Sequence, residues 1–185
     1  MRGSAAEILD GQITIERGTS ADYRGLAHFH YAPGRPATWA GVWRGVYWEE
    51  ERRRHCKLQI EDCKLQIEKP KSGRVVAVGV LSFPVLSLRQ RERALGLEGM
   101  EPRQRREWVN RHIRTISRVI VHPQFRALGL ASALVRRICA DCTVRYVEAL
   151  AAMGDVHPFF EKGGMRRVTP PGSDQPAYFI LDREG

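Results

Sequence analysis

The order of hydrophobic and polar positions along the chain predicts short strands with amphipathic helices between them. Residues 12–16 alternate strictly, as the residues of a half-buried strand do. Residues 74–81 are nearly all apolar, which is typical of a strand buried on both faces. Further short runs rich in β-branched or aromatic residues predict strands at 41–48, 116–121, 144–150, 166–168 and 177–181.

Helical signals mark two segments outside the centre of the chain. Ser20 is a candidate N-cap for a short helix that continues through Leu26. Pro102 suits the first turn of a second helix. The apolar residues that share one face of this helix are Trp108, Val109 and Ile113. We expect the arginines of residues 87–114, including Arg91, to lie on the solvated side, because glutamates interrupt their charge and argue against a nucleic-acid-binding face.

The centre of the chain predicts a strand, a tight loop and a helix in succession. The strand covers residues 116–121, and Pro123 ends it because proline has no N–H to donate to a ladder. From Ala127 onward, apolar residues recur at helical intervals. These residues are Leu128, Ala131, Leu134, Val135 and Ile138. The loop that joins strand and helix is therefore residues 126–131.

This loop has the features of an anion-binding site. The first N–H groups of a helix have no intrahelical partner, and the helix dipole adds partial positive charge there. Gly129 leaves room for a phosphate to approach, and Ala131 keeps the first turn thin. Arg126 adds positive charge, and Ser132 offers a hydroxyl donor. The signatures of nucleotide P-loops and dinucleotide folds are missing, and the alternative is an ordinary connection whose glycine serves packing.

A second motif lies at residues 156–165, which read Val-His-Pro-Phe-Phe-Glu-Lys-Gly-Gly-Met. The two motifs, in this order and at this spacing, resemble those of the GNAT N-acetyltransferases. The resemblance covers residues 75–181 and implies an α/β (α+β) fold with a mixed, mostly antiparallel central sheet flanked by helices. It also implies acetyl-CoA as the cofactor, with its pyrophosphate on the loop at the strand–helix junction and its pantetheine arm along residues 119–121.

The resemblance carries cofactor and catalytic roles onto particular residues. Those implied for the cofactor are Val119, Ile120, Val121, Arg126, Ala127, Leu128, Gly129, Leu130, Ala131, Ser132 and Phe160. Phe160 stands where the family has a proton-donating tyrosine, and a phenylalanine cannot donate a proton. The central strand also lacks the glutamate that many members use as a base. The candidates to handle the proton are His157, whose alternative is a plain surface role, and Glu148 on the adjacent strand. Activation by backbone groups, with water completing the proton transfer, remains open.

Composition narrows the choice of partners and of compartment. The chain has 185 residues, which suits a single domain spanning residues 1–185, and a loose N-terminus is expected at residues 1–10. Its net charge of +9 favours anionic partners. The absence of a long apolar run argues against a membrane partner, and four cysteines without a secretion signal favour the reducing cytoplasm. Cys139 and Cys142 have metal-like spacing, but no second pair stands nearby and we expect no metal site.

A tandem repeat interrupts the chain between two predicted strands. The sequence Cys-Lys-Leu-Gln-Ile-Glu occurs at residues 56–61 and again at residues 63–68. The repeat is too short for a solenoid. We interpret residues 49–72 as an insertion in a β-hairpin without a catalytic role. The spacing favours a helix over residues 49–68, although part of the repeat also alternates as a strand would.

The sequence thus supports two functional hypotheses. The first is an N-acetyltransferase that moves an acetyl group from acetyl-CoA to a primary amine of an unidentified acceptor. The second is an inactive acyl-CoA-sensing or nucleic-acid-associated binding module, which the loss of the tyrosine and of the glutamate favours. By the resemblance, the first helix and the loop after it form one wall of the acceptor site. Within that loop we interpret His30 as a solvated residue.

Overall fold

The computed structural model describes residues 12–31, 34–48 and 73–185 of the chain. They form seven strands and five α-helices. The strands are β1 (Ile13–Arg17), β2 (Gly41–Trp48), β3 (Gly73–Ser82), β4 (Ile113–Val121), β5 (Tyr146–Ala151), β6 (Arg166–Arg167) and β7 (Ala177–Asp182). The α-helices are α1 (Ser20–Leu26), α2 (Arg89–Leu95), α3 (Pro102–His112), α4 (Leu130–Asp141) and α5 (Phe159–Lys162). Short 3₁₀ turns lie at Ala27–Phe29 and Pro123–Phe125.

The seven strands form one mixed sheet in the order β1-β2-β3-β4-β5-β7-β6. All neighbouring pairs are antiparallel except β4 and β5, which run parallel. This arrangement confirms the predicted mixed, mostly antiparallel sheet. The parallel pair lies at the centre of the sheet, and its connection crosses one face as α4.

Helices cover both faces of the sheet. On one face, α4 buries Leu134, Val135 and Ile138 in the main core cluster, as its helical spacing predicts. On the other face, Tyr23 and Leu26 of α1 pack against strands β3 and β4. A third cluster joins the residues around α2 and α3 to β5 and β7. The strand edges at the centre of the sheet therefore lie between two helical layers.

Three predicted element boundaries differ from the structure. The helix after the central loop begins at Leu130 rather than Ala127, because the chain first makes a 3₁₀ turn and two left-handed residues. Ile113 is the first residue of β4 and not part of the preceding helix. The N-cap of α1 is Thr19, whose N–H and hydroxyl donate to the Asp22 carboxylate at 2.7 and 2.8 Å.

The prediction that Arg91 is solvated was wrong. Arg91 lies on α2, a helix that the sequence analysis did not separate from the charged segment, and its side chain is 0% exposed. Other arginines of the segment are solvent-facing as predicted: Arg103 pairs with Glu107 on the exposed side of α3. A charged residue is buried only when a partner compensates its charge, and Arg91 has one in Glu148.

The predictions for residues 1–10 and 49–72 lie outside the described residues. The ends of the strands that flank the repeat are nevertheless clear, because Trp48 pairs directly with Gly73 in an antiparallel ladder. Residues 49–72 thus connect two neighbouring strand ends, which is the topology of a hairpin. Among the described residues, none of the helices is long and apolar enough to cross a membrane.

Candidate active site

The two parallel strands at the centre of the sheet, β4 and β5, pair with each other at one end only. The β4–β5 ladder contains three residue pairs, from Ile113↔Tyr146 to Thr115↔Glu148. Beyond them, β4 continues to Val121 with β3 on its other side, and β5 continues to Ala151 with β7 on its other side. The facing edges of residues 116–121 and 149–151 are not paired with each other in the described structure. We call this opening the fork.

A β-bulge lies on β4 where the fork opens. Val80 pairs with Arg118 and Leu81 pairs with Ile116, so Ser117 is an extra residue on β4. The Ser117 hydroxyl lies 2.7 Å from that of Ser82, which donates to the Thr38 carbonyl at 2.7 Å. The bulge is thereby tied to β3 and to the loop after α1.

The predicted cradle lies just beyond the open end of β4. Gly129 is the N-cap of α4 with φ 79°, and Ala127 has φ 65°. Left-handed residues in such loops turn successive N–H groups toward a common side, as in anion-binding nests. Within the described structure, the backbone N–H groups of residues 127–132 donate no hydrogen bond. The loop therefore offers a set of free donors at the positive end of a twelve-residue helix.

Space and charge around the cradle also suit an anion. A Cβ atom placed on Gly129 would have no heavy atom within 4 Å, so the site is open above the loop. Arg126 is exposed beside it, and Ser132 is buried with a hydroxyl that has no partner among the described residues. The sequence analysis named Leu130 and Ala131 with these residues, and the structure places them in the first turn of α4.

His122 directly follows β4 beside the cradle and was not among the predicted site residues. Its Nε2 lies 2.9 Å from Nη2 of Arg74, and its Nδ1 lies 3.3 Å from the backbone nitrogen of Gln124. Both neighbours can only donate, so one of the two ring nitrogens accepts and the ring is neutral. Burial, helped by the charges of Arg74, His28 and Arg126, lowers the pKa of His122. The only sequence signal for His122 was its position between the predicted strand and the proline that ends it. His122 thus keeps a neutral imidazole next to a cationic loop.

The loop after α1 runs along the fork on the face opposite α4. Its first part contacts the far end of β4, where the rings of Phe29 and His122 lie 4.9 Å apart. Its later part reaches the bulge, where Thr38 accepts from Ser82 and its hydroxyl bonds the backbone of Phe83. The described residues of this loop therefore reach both the far end of β4 and the serine pair that holds the bulge. That this loop forms one wall of an acceptor site, as the resemblance implies, stays a prediction.

Glu148 is the last paired residue of β5 and is 1% exposed. Arg91 donates to both of its carboxylate oxygens, from Nε at 2.9 Å and from Nη2 at 2.8 Å. Thr115 donates to Oε1 at 2.7 Å, and Tyr178 donates to Oε2 at 3.0 Å. Burial raises the pKa of Tyr178, so its hydroxyl stays a donor. With both oxygens occupied, Glu148 has the surroundings of a structural ion pair, and its role as a base stays a prediction.

His157 lies on the connection from β5 to α5 and Phe160 lies within α5, and the two residues differ in their surroundings. His157 is exposed, and its ring makes no hydrogen bond within the described structure. Phe160 is 5% exposed and stacks on Phe179 at 5.1 Å, in the main core cluster. Phe160 therefore packs mainly against the core, and its contact with a cofactor stays a prediction.

The two described cysteines pack the end of α4. Cys139 and Cys142 are both buried and free. Burial raises the pKa of the Cys139 thiol to about 12, so the free thiol stays protonated. No group of three or more potential metal ligands occurs among the described residues.

Comparisons with known proteins connect this architecture to solved structures. No family model and no curated protein matches the chain. The structure of NAA60 from Arabidopsis thaliana in complex with acetyl-CoA is similar at 12% identity and a TM-score of 0.52, over 94% of this chain and 99% of that one. Agmatine N-acetyltransferase is 13% identical with a TM-score of 0.48, over 92% and 99% of the two chains. The aminoglycoside acetyltransferase AAC(6')-Ib is 15% identical with a TM-score of 0.47, over 93% and 95%.

Identity this low shows the fold and not the acceptor. The fold is also visible in this chain alone, in its sheet order, in the fork between its parallel strands and in the loop at the start of α4. The chain has the fold of the GNAT acetyltransferases.

Proposed function

We propose that the protein is an N-acetyltransferase that moves an acetyl group from acetyl-CoA to a primary amine by direct transfer. One observation carries this proposal: an open strand edge leads directly into a loop whose N–H groups have no partner in the described structure. A strand edge with free amides suits an extended chain that contains amide groups, and a helix N-terminus suits a pyrophosphate. Coenzyme A combines these two chemical groups in one molecule.

The residues of the loop fit the pyrophosphate. The N–H groups of residues 127–132 would donate to its oxygens, and Arg126 would neutralise part of its charge. Ser132 would add a hydroxyl donor from the first turn of α4. The missing side chain at Gly129 leaves the approach open. The acetyl-CoA complex of NAA60 is in keeping with this assignment.

The edge of β4 would hold the pantetheine arm. In residues 119–121, the backbone groups that point away from β3 face the fork and are not paired with β5 in the described structure. An arm that starts at the cradle and follows this edge ends near the bulge at Ser117. When bound, acetyl-CoA supplies an acetyl group activated as a thioester. The chain's own part is to place that group at the narrow end of the fork, where α4 and the loop after α1 exclude water from two sides.

The amine must lose a proton before it can attack, because only its neutral form has a free lone pair. We assign this proton transfer to His157, since the carboxylate of Glu148 already accepts from three side chains. The imidazole of His157 is solvent-accessible and has no competing hydrogen bond within the described structure. It can therefore pass a proton to water from the open side of the fork.

A second candidate function is a binding module that holds acyl-CoA without turnover. The core packing of Phe160 favours it, because no hydroxyl stands at that position to protonate a departing thiolate. The two candidates share the cradle and differ only in the chemistry at the fork.

The test combines calorimetry with a thiol-release assay. Titration with CoA should show binding, and acetyl-CoA with a panel of primary amines should release free thiol faster than acetyl-CoA alone. His157→Ala should lower kcat by about 10²–10⁴-fold and leave CoA affinity unchanged. Binding without any amine-dependent release would support the binding module. No binding of CoA would refute both candidates.

A further inference from the structure

Arg118 occupies an unusual position at the narrow end of the fork. It follows the bulge residue Ser117 on β4 and pairs with Val80 of β3. Val119 packs in the cluster on the α4 side, so by alternation Arg118 lies on the opposite face together with Ile120. That is the face along which the loop after α1 runs. Arg118 therefore lies where an acceptor would approach the transferred group.

Arg118 is half-buried, and one donor of its guanidinium is buried without a partner. Its Nε is the one buried side-chain nitrogen or oxygen atom among the described residues that has no hydrogen-bond partner. Its Nη1 donates to the Ser117 carbonyl at 2.8 Å, and the side chain forms no ion pair within the described structure. Arginine is always charged, and buried polar groups of native proteins are nearly always paired. The buried Nε of Arg118 is therefore a candidate donor to a bound ligand.

The protein does not supply that acceptor from nearby carboxylates. Glu148, on the neighbouring strand, is occupied by Arg91, Thr115 and Tyr178. Asp22, on the helix that covers this face, is bound by Thr19 and Arg44. The hydrophobic cluster on the same face consists of apolar and aromatic side chains such as those of Val80 and Leu26.

The surface near this face is also cationic. A cavity of about 480 Å³ lies between α1 and the loop after it. The polar side chains that line it are Tyr23, Arg24, His28, His30 and Arg35, with no carboxylate among them. A concave surface of one sign raises the local concentration of ligands of the opposite charge. The cavity beside α1 therefore favours an anionic molecule. Arg118 favours the same charge at the narrow end of the fork.

We propose that Arg118 binds an anionic group, a carboxylate or a phosphate, on the amine acceptor. This inference rests on the proposed acetyltransferase function and names the class of its acceptor. The planar fork of an arginine pairs with two oxygens of such a group and fixes its orientation. The pyrophosphate of CoA does not meet this need, because its cradle lies beyond the far end of β4. The acceptor is therefore an amine with an anionic group a few bonds from its nitrogen.

The test measures binding to the CoA-saturated protein, so that it does not depend on turnover. The probes are β-alanine against β-alaninamide, and phosphoethanolamine against ethanolamine, followed by calorimetry or saturation-transfer NMR. We expect at least one anionic probe to bind tenfold or more tightly than its neutral counterpart. The two pairs distinguish a carboxylate from a phosphate.

Variants assign the preference to a single side chain. Arg118→Gln should abolish it, and Arg118→Lys should retain part of it, because a lysine keeps the charge but loses the fork. Arg114→Gln is the matched control, since Arg114 lies on the same strand and its Nη1 donates only to backbone carbonyls. It should keep the preference, and melting curves should show all three variants folded.

Two results would overturn the inference: no preference for either anionic probe in the wild type, or a preference that persists in Arg118→Gln. Loss of the preference in Arg114→Gln as well would equally show that it is general surface charge. Failure of the wild type to bind CoA or to acetylate any amine counts against the proposed function instead. The two failures are therefore distinguishable.

Discussion

The substitution Gly129→Val tests the cradle directly. Gly129 is the N-cap of α4 at φ 79°, and an added side chain would meet no protein atom within 4 Å of its Cβ. The substitution therefore does not disturb the core by contact. It instead places a branched side chain in the open space that the pyrophosphate would occupy. We expect the variant to fold and to lose affinity for CoA.

The size of the loss follows from the contacts that the side chain would displace. A hydrogen bond to a charged group contributes about 1.5–3 kcal/mol. If the valine displaces two such bonds, even the lower figure gives about 3 kcal/mol, or roughly a 100-fold increase in Kd. A left-handed conformation costs a residue with a Cβ about 1–2 kcal/mol, so the free energy of unfolding should fall by at least that amount.

Gly96→Val separates these two effects. Gly96 ends α2 at φ 66°, and a Cβ there also has no heavy atom within 4 Å. It should lose comparable stability, measured by urea unfolding, while calorimetry shows wild-type CoA affinity. Equal CoA affinity for Gly129→Val and wild type would refute the cradle. An equal loss of affinity in both variants would show that stability, and not the phosphate site, controls binding.

Three further outcomes are expected. Deleting residues 56–62 removes one repeat from the connection between the paired ends of β2 and β3 and changes the loop-closure free energy by only about 0.3 kcal/mol. Tm and CoA affinity should therefore stay the same. A large drop in Tm would show that the repeat belongs to the core. Glu148→Gln leaves Arg91 as an uncompensated buried cation and should lower the free energy of unfolding by about 3–5 kcal/mol, whereas wild-type stability with lost turnover would favour the catalytic role. The pKa of His122 is lower in the folded protein than in the unfolded chain, so the unfolded chain takes up the proton first as the pH falls. The stability that the neutral His122 contributes is therefore complete above about pH 6.5 and is lost as the pH falls through the lower pKa of the folded protein. CoA phosphates should raise that pKa, and an NMR titration in which CoA has no effect on it would argue against a phosphate near Arg126.

Local periodicity was sufficient to predict the main strands and the helix α4, whereas the mixed sheet followed from the resemblance to the GNAT family. Strands of period two and the helix of α4 depend mainly on which residues face the core, and that information is local. The boundaries were less certain where two signals overlap. Ile113 is apolar and continues the helical pattern of α3, but it begins β4, because its pairing with Tyr146 across the sheet decides its state.

The features set by distant contacts could not be predicted. Arg91 lies in a segment of mixed charge that indicates a solvated helix, and its burial depends on Glu148, a residue 57 positions away. A carboxylate within the apolar strand β5 was a signal that some cation must be buried with it, although not which one. The bulge at Ser117 has no sequence signal, because it exists only in the register of β4 against β3.

The same distant contacts determine where the fork opens. Glu148 is the last residue of β5 that pairs with β4, and its carboxylate joins four elements through Arg91, Thr115 and Tyr178. Two residues past Thr115 on β4, the bulge at Ser117 shifts the register against β3 and is held by the hydroxyl of Ser82. The paired part of β4 and β5 is therefore held by the network around Glu148, and the open part begins where the Ser82–Ser117 contact holds the bulge. Because networks of this kind are rigid, the core of the protein, and not its loops, fixes where β4 and β5 separate. The residue placed just past that position is Arg118, and this explains how one arginine can hold a fixed place beside the open edge of β4.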